Sequence, residues 1–186
     1  NENKVAGHTF VSFEFNNGDF LAISIEARKT KDQHYSTWKG MLHTYPLIYI
    51  ASDERDVLLM RANLRKDKVY VYPVKLSKPE NGRLLFVDML ERMNDLAVHP
   101  VWYNTLFANC TSSIVGHINK LSPGRISIFS WQLWLTASAD ELALKHGLLD
   151  TDLDIEKARE KFNVNEASER VGDVSNYSME IRRGGE

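Results

Sequence analysis

The stretch that decides the fold is His8-Thr-Phe-Val-Ser-Phe-Glu-Phe15, Asn16-Asn17-Gly18-Asp19, Phe20-Leu-Ala-Ile-Ser-Ile-Glu26. On either side of the four middle residues the side chains alternate with the period of two that a half-buried strand requires. The residues between tolerate the positive φ of a tight reversal. The reading is a β-hairpin whose first strand, opened by His8, lies at the centre of a sheet. Closing the turn at Asn17-Gly18 sets residues 24 to 27 across from His8, although a one-residue slip in register would turn every side chain to the other face.

Working outward, residues 47–50 (Leu-Ile-Tyr-Ile) and 69–76 (Val-Tyr-Val-Tyr-Pro-Val-Lys-Leu) read as two more strands, with Pro73 marking an edge or a bulge. Ser52-Asp-Glu-Arg-Asp56 resembles a capped helix start, running to about Arg65. Residues 80–96 read as a helix with Leu85, Met89, Arg92 and Leu96 in one line and Phe86, Leu90 and Met93 beside it, closed off by Pro100. A second helix starts near Asn109 or Cys110 and runs to about Leu121, where Ser122-Pro123-Gly124 breaks it. Residues 137–147, entered through Ser138 and left through Gly147, and residues 154–162 read as two shorter helices. Strands followed by helices, without strand-helix-strand alternation, predict an α+β fold: a small antiparallel sheet packed against helices. At 186 residues the chain is sized for a single domain over 1–186, with 150–186 a charged C-terminal extension packed on it.

The formal charge of −2 offers no basic face for nucleic acid and no polybasic case for a membrane surface. No apolar run reaches the ~18 residues of a membrane span. The chain begins at Asn1 rather than Met, which reads as a processed product or an excised piece, so an upstream targeting signal would be invisible. Charges are unevenly spread. Residues 96–139 carry only Lys120 and Arg125, which marks a stretch that is buried or lines a cleft. Its aromatic residues Trp102, Tyr103, Phe107, Trp131 and Trp134 are assigned to the core rather than to a groove.

There is one cysteine, Cys110. It excludes an intrachain disulfide, a Cys-rich zinc site and a Cys-x-x-Cys redox pair, but leaves room for a nucleophile. At a helix start the positive end of the dipole favours thiolate over thiol. A lone cysteine is more often simple core filling. The histidines are His8, His34, His43, His99, His117 and His146, and no two stand at the i, i+3 or i, i+4 spacing of a metal pair. His8, on a rigid strand, is the candidate general base; His99 ranks second. His117 is two turns beyond Cys110 along one helix, about 10 Å away, too far to act on the thiol. A base needs an orienting partner, and Glu26, with Ser24 as the weaker option, lies within reach across the hairpin. The competing reading pairs Glu26 with Arg28.

At these residues a family resemblance emerges. Gly7-His8-Thr-Phe-Val-Ser-Phe, Ser24-Ile-Glu26-Ala-Arg28 and Tyr103-Asn104-Thr105-Leu-Phe-Ala-Asn109-Cys110-Thr111 resemble the bacterial Lnb N-terminal periplasmic domain family. So do Leu133-Trp-Leu135, Asp140-Glu-Leu, Gly147-Leu-Leu, Tyr177-Ser178 and Ile181-Arg182. That family is similar to permuted papain-like thiol hydrolases, including NlpC-type cell-wall peptidases and lecithin:retinol acyltransferase-like enzymes. In the permuted branch the histidine strand precedes the cysteine helix, as His8 precedes Cys110. The acyltransferase branch has an Asn-Cys at its nucleophile, as here, but commonly a second histidine where this chain offers Ser24 or Glu26.

The resemblance implies Cys110 as nucleophile, His8 as base and Glu26 as third member, with Tyr103, Asn104 and Asn109 as substrate-binding residues. It implies a cysteine hydrolase, an amidase, peptidase or acyl hydrolase, acting on a peptide or acyl-lipid of the bacterial envelope. No metal or cofactor is called for. Location in the periplasm or cell envelope follows from the family, and membrane association is expected only through segments outside these residues. The alternatives are a non-catalytic binding module using the same cleft and a Cys-dependent acyltransferase.

Overall fold

The reversal at residues 16–19 forms in the computed structural model, which describes residues 7–32, 44–121, 126–127, 130 and 136–183. Phe15 N–H donates to Asp19 O and Gly18 N–H to Phe15 O, with Gly18 at φ 84, where a side chain would be strained. The strands flanking it are β1 (Phe10–Glu14) and β2 (Phe20–Ala27), joined by β3 (Leu47–Asp53) in the order β1-β2-β3. The helices that follow are α1 (Glu54–Leu59), which runs into a π-helical turn at Met60–Leu64, then α2 (Glu80–Val98), α3 (Cys110–Leu121) and α4 (Ala139–Lys145). The chain continues through α5 (Ile155–Lys161), α6 (Asn165–Val171) and α7 (Tyr177–Glu180). The fold class is α+β, with a small three-stranded antiparallel sheet.

Two expectations about the sheet are corrected. The first strand is an edge, and β2 takes the centre. Ala22, Ile23, Ser24 and Ile25 are buried in succession, so both faces of β2 are covered, as a central strand requires. Residues 69–76 form no strand: Tyr70 bridges Asn163 and Val74 bridges Leu149 in isolation. Pro73 has no N–H to give a ladder, and the segment pairs with two short stretches on either side of α5 instead of with one strand. Two helices escaped the sequence reading, α6 and α7.

The chain divides into two compact units, one of residues 1–11, 23–50 and 76–146, the other of residues 12–22, 51–75 and 147–186. In the first unit, Tyr103 N–H donates to Tyr45 O and Leu47 N–H to Val101 O, so the approach to α3 runs beside the start of β3. Helix α2 packs on α3. The line read from the sequence is the buried one, with Leu85, Met89 and Leu96 all covered. Ile23 and Ile25 are at most 1% exposed, each contributing about 1.5–3 kcal/mol of apolar burial.

In the second unit, Asp53 caps α1 by accepting Arg55 N–H at 2.9 Å, and Asp154 caps α5 by accepting Lys157 N–H at 3.0 Å. Glu54 is fully buried, and Arg182 grips both its oxygens, Nη2 to Oε1 at 2.6 Å and Nη1 to Oε2 at 2.8 Å. Burial would push this carboxyl up, but the paired guanidinium holds it below the ordinary carboxylate range. Beside it Ser168, also fully buried, bonds the Tyr177 hydroxyl at 2.6 Å and Asn63 Oδ1 at 2.7 Å.

Candidate active site

The cysteine stands at the first position of α3 because the residues around it form a reciprocal cap. Asn109 Oδ1 accepts Ser112 N–H at 2.8 Å and Ser112 Oγ accepts Asn109 N–H at 2.9 Å. Asn109 Nδ2 donates to Thr105 O at 2.9 Å, and the residue is fully buried. Ahead of it Asn104 closes a tight loop. Its Oδ1 accepts Leu106 N–H and Phe107 N–H, while its backbone pairs both ways with Ala108. Tyr103 is buried. The side chains of Tyr103, Asn104 and Asn109 thus shape the segment that delivers Cys110.

That loop corrects the aromatic assignment in part. Tyr103 is core, but Phe107 is 73% exposed and Trp102 52%. Phe107 rides the turn that Asn104 closes. Trp131 and Trp134, like Leu133–Leu135 and the histidines His34 and His43, lie outside the described residues.

His8 sits two residues ahead of β1, in the same unit as Cys110. Ser24 and Glu26 are two apart on β2 and therefore share a face. His8 Nε2 lies 2.7 Å from Ser24 Oγ and 3.1 Å from Glu26 Oε1, and Ser24 Oγ–H donates to the same Glu26 oxygen at 2.7 Å. Both alternatives for the third member are therefore engaged, with the serine bridging histidine and carboxylate; Arg28 is not the partner that these bonds give Glu26. The His8 ring and the Cys110 side chain also stand near enough for each to shift the other's ionisation.

The electrostatics follow from this contact. Burial would lower the His8 pKa, but hydrogen bonds and charge from Cys110 and Glu26 outweigh it and raise the value to about 9. For Cys110, 2% exposed, burial would push the thiol up. The His8 imidazolium, a backbone N–H from Thr9 and the Thr111 hydroxyl together bring it below its ordinary value. The two shifts run together, toward thiolate on Cys110 and imidazolium on His8. Thr9 and Thr111 were not singled out in the sequence, although they adjoin His8 and Cys110; their hydroxyls lie 3.3 Å apart, and Thr111 Oγ1 is 3.9 Å from the sulfur.

Two further histidines make their contacts away from this group. His99 is exposed, its Nδ1 3.0 Å from Asp95. His117 is buried against Asp88 and Tyr49.

A family model described as the Lnb N-terminal periplasmic domain matches residues 1–137, a span that contains His8, Ser24, Glu26 and Cys110. No curated protein and no solved structure matches the chain.

Proposed function

The chain belongs to the Lnb N-terminal periplasmic domain family, and from that premise we propose that it is a thiol enzyme, a cysteine hydrolase of permuted papain-like type. Membership puts it in the periplasm or cell envelope, and among the described residues no helix is long and apolar enough to cross a membrane. The observation that carries the reading is the placement of one imidazole between a buried sulfur and the Ser24–Glu26 pair. A chain order in which the histidine segment precedes the cysteine helix supports the permuted form.

In the proposed reaction the Cys110 thiolate attacks an amide or ester carbonyl of an envelope peptide or lipid, forming a carbon–sulfur bond. A backbone N–H at the start of α3, other than the Ser112 N–H that Asn109 Oδ1 accepts, faces the developing oxyanion. The His8 imidazolium gives its proton to the departing amine or alkoxide, leaving a thioester and a neutral imidazole. That imidazole then takes a proton from the incoming acceptor, the thioester breaks, and thiolate and imidazolium are restored. Glu26, directly and through Ser24, fixes the ring and offsets its positive charge.

A second reading has its own support. The sulfur is almost wholly shielded from solvent, which favours passing the acyl group to an amine or alcohol over losing it to water. Both readings are tested by incubating the protein with activated acyl esters and following Cys110 by intact mass. Acyl label that forms on the parent protein but not on Cys110→Ala or His8→Ala is expected. Release to water supports the hydrolase, and release only on adding an amine or alcohol supports the acyltransferase. No label at all, with an ordinary thiol titration, would leave a binding module.

A further inference from the structure

The reaction proposed above leaves a second buried histidine unused. His117 is 4% exposed and stands seven residues after Cys110 on α3, within about 20° of the same face. Its Nδ1 lies 2.5 Å from Asp88 Oδ2 on α2, and its Nε2 lies 2.9 Å from the Tyr49 hydroxyl on β3. A carboxylate only accepts, so Nδ1 carries the hydrogen and the neutral ring accepts from Tyr49 at Nε2. Ser113, one turn nearer Cys110, lies near enough to the Tyr49 hydroxyl to bear on its ionisation. Asp88 Oδ1 accepts from Lys120 Nζ at 2.7 Å, and Arg92 on α2 faces the same cluster. Two residues of α3, His117 and Lys120, are thereby tied to β3 and α2.

Apolar packing between helices resists separation far more than rotation, because it is not directional. Hydrogen bonds are directional, and a chain of them fixes an angle. We infer that Asp88 and Tyr49, acting through His117, are positioning residues that set the roll of α3 about its axis and so hold the Cys110 sulfur on His8. A roll of about 15° carries an atom about 4 Å off the helix axis through about 1 Å. A displacement of that size between reacting groups costs about 100-fold in rate.

The inference rests on the Cys110–His8 reading, and the experiment separates the two. Cys110 is the single cysteine of the chain, so its ionisation is read from ultraviolet thiolate absorbance, with Cys110→Ser subtracted, over about pH 5 to 9. The wild type is compared with His8→Ala, Tyr49→Phe, Asp88→Asn, His117→Phe and His117→Gln. A depressed midpoint in the wild type is expected, lost in His8→Ala, moved upward by about one unit in Tyr49→Phe and His117→Phe, and partly restored in His117→Gln. Cooperative unfolding of each variant is checked separately; if His117→Phe does not fold, Tyr49→Phe, which loses one hydroxyl, decides. Thiol midpoints unchanged in folded Tyr49→Phe and Asp88→Asn, beside a His8-dependent wild type, overturn the positioning role alone. An ordinary wild-type midpoint insensitive to His8→Ala overturns the catalytic pair and this inference with it.

Discussion

Two histidines of one unit each rest on a carboxylate, yet they hold opposite charge states at neutral pH. His8, against Glu26, is raised to about 9, while His117, against Asp88, is held below its ordinary value. Burial lowers both, so burial does not make the difference. His8 has a second source of negative charge beside Glu26, the Cys110 sulfur. His117 shares its carboxylate with Lys120 and feels Arg92 as well, so the negative charge that would stabilise its imidazolium is already spent. A histidine's charge is set by the sum over its neighbours, not by the presence of one acidic partner. The same side chain becomes an acid in one place and a neutral strut in the other.

The comparison breaks most visibly at His8. In His8→Ala the Cys110 thiol returns toward its ordinary value of 9.0, and its alkylation by iodoacetamide near pH 6 drops by about 100-fold or more, measured by mass spectrometry. Unchanged alkylation would mean that the sulfur owes nothing to the imidazole. Next in size is Glu26→Gln, which leaves the thiolate as the only anion on His8. The His8 titration midpoint, followed by imidazole NMR, should descend from about 9 by about one unit, with Ser24→Ala giving a smaller descent.

The pair also shapes stability. Taken alone, His8, raised from 6.5 to about 9, contributes stability that is complete below pH 6.5 and lost as the pH climbs through 9. Taken alone, Cys110, lowered from 9.0, contributes stability present above that value and lost as the pH falls through its depressed midpoint. With the folded pair as thiolate and imidazolium, as proposed, the two offset between about 6.5 and 9, because that pair and the unfolded chain each hold one proton. Below 6.5 the unfolded chain takes up a second proton that the folded pair resists. Urea unfolding of wild type minus Cys110→Ser should therefore rise from acid to about pH 6.5 and stay level to about 9. A continuous fall across that upper range would argue against a shared proton. The smallest effect is at the neutral histidine: Lys120→Met frees Asp88 for His117, whose NMR midpoint should move up by a fraction of a unit.

What the sequence disclosed divides along the same line. The His8 site was legible because each part had a local signal. The helix start was readable near Asn109 or Cys110, and hairpin closure brought residues 24 to 27 to His8, so Cys110, His8, Ser24 and Glu26 could all be named. The His117 site had no such signal. Tyr49, Asp88 and His117 come from a strand and two helices far apart in the chain, and periodicity reports only that a position faces inward, not which polar groups meet there. The same limit hid the place of β1 in the sheet, since alternation identifies a strand but not its neighbours. Residues 69–76 alternate as a strand should, yet they find only isolated bridges; sequence pattern proposes a strand, and a partner has to complete it.

The near-complete burial of Cys110 bears on survival as well as on catalysis. A thiol held as thiolate is the form that peroxides and disulfides attack, and the periplasm is an oxidising compartment. Within this chain no second cysteine can capture it, and at 2% exposure a bulky oxidant has little access to the sulfur. The placement that readies the thiolate for one carbonyl also shelters it from oxidation between encounters.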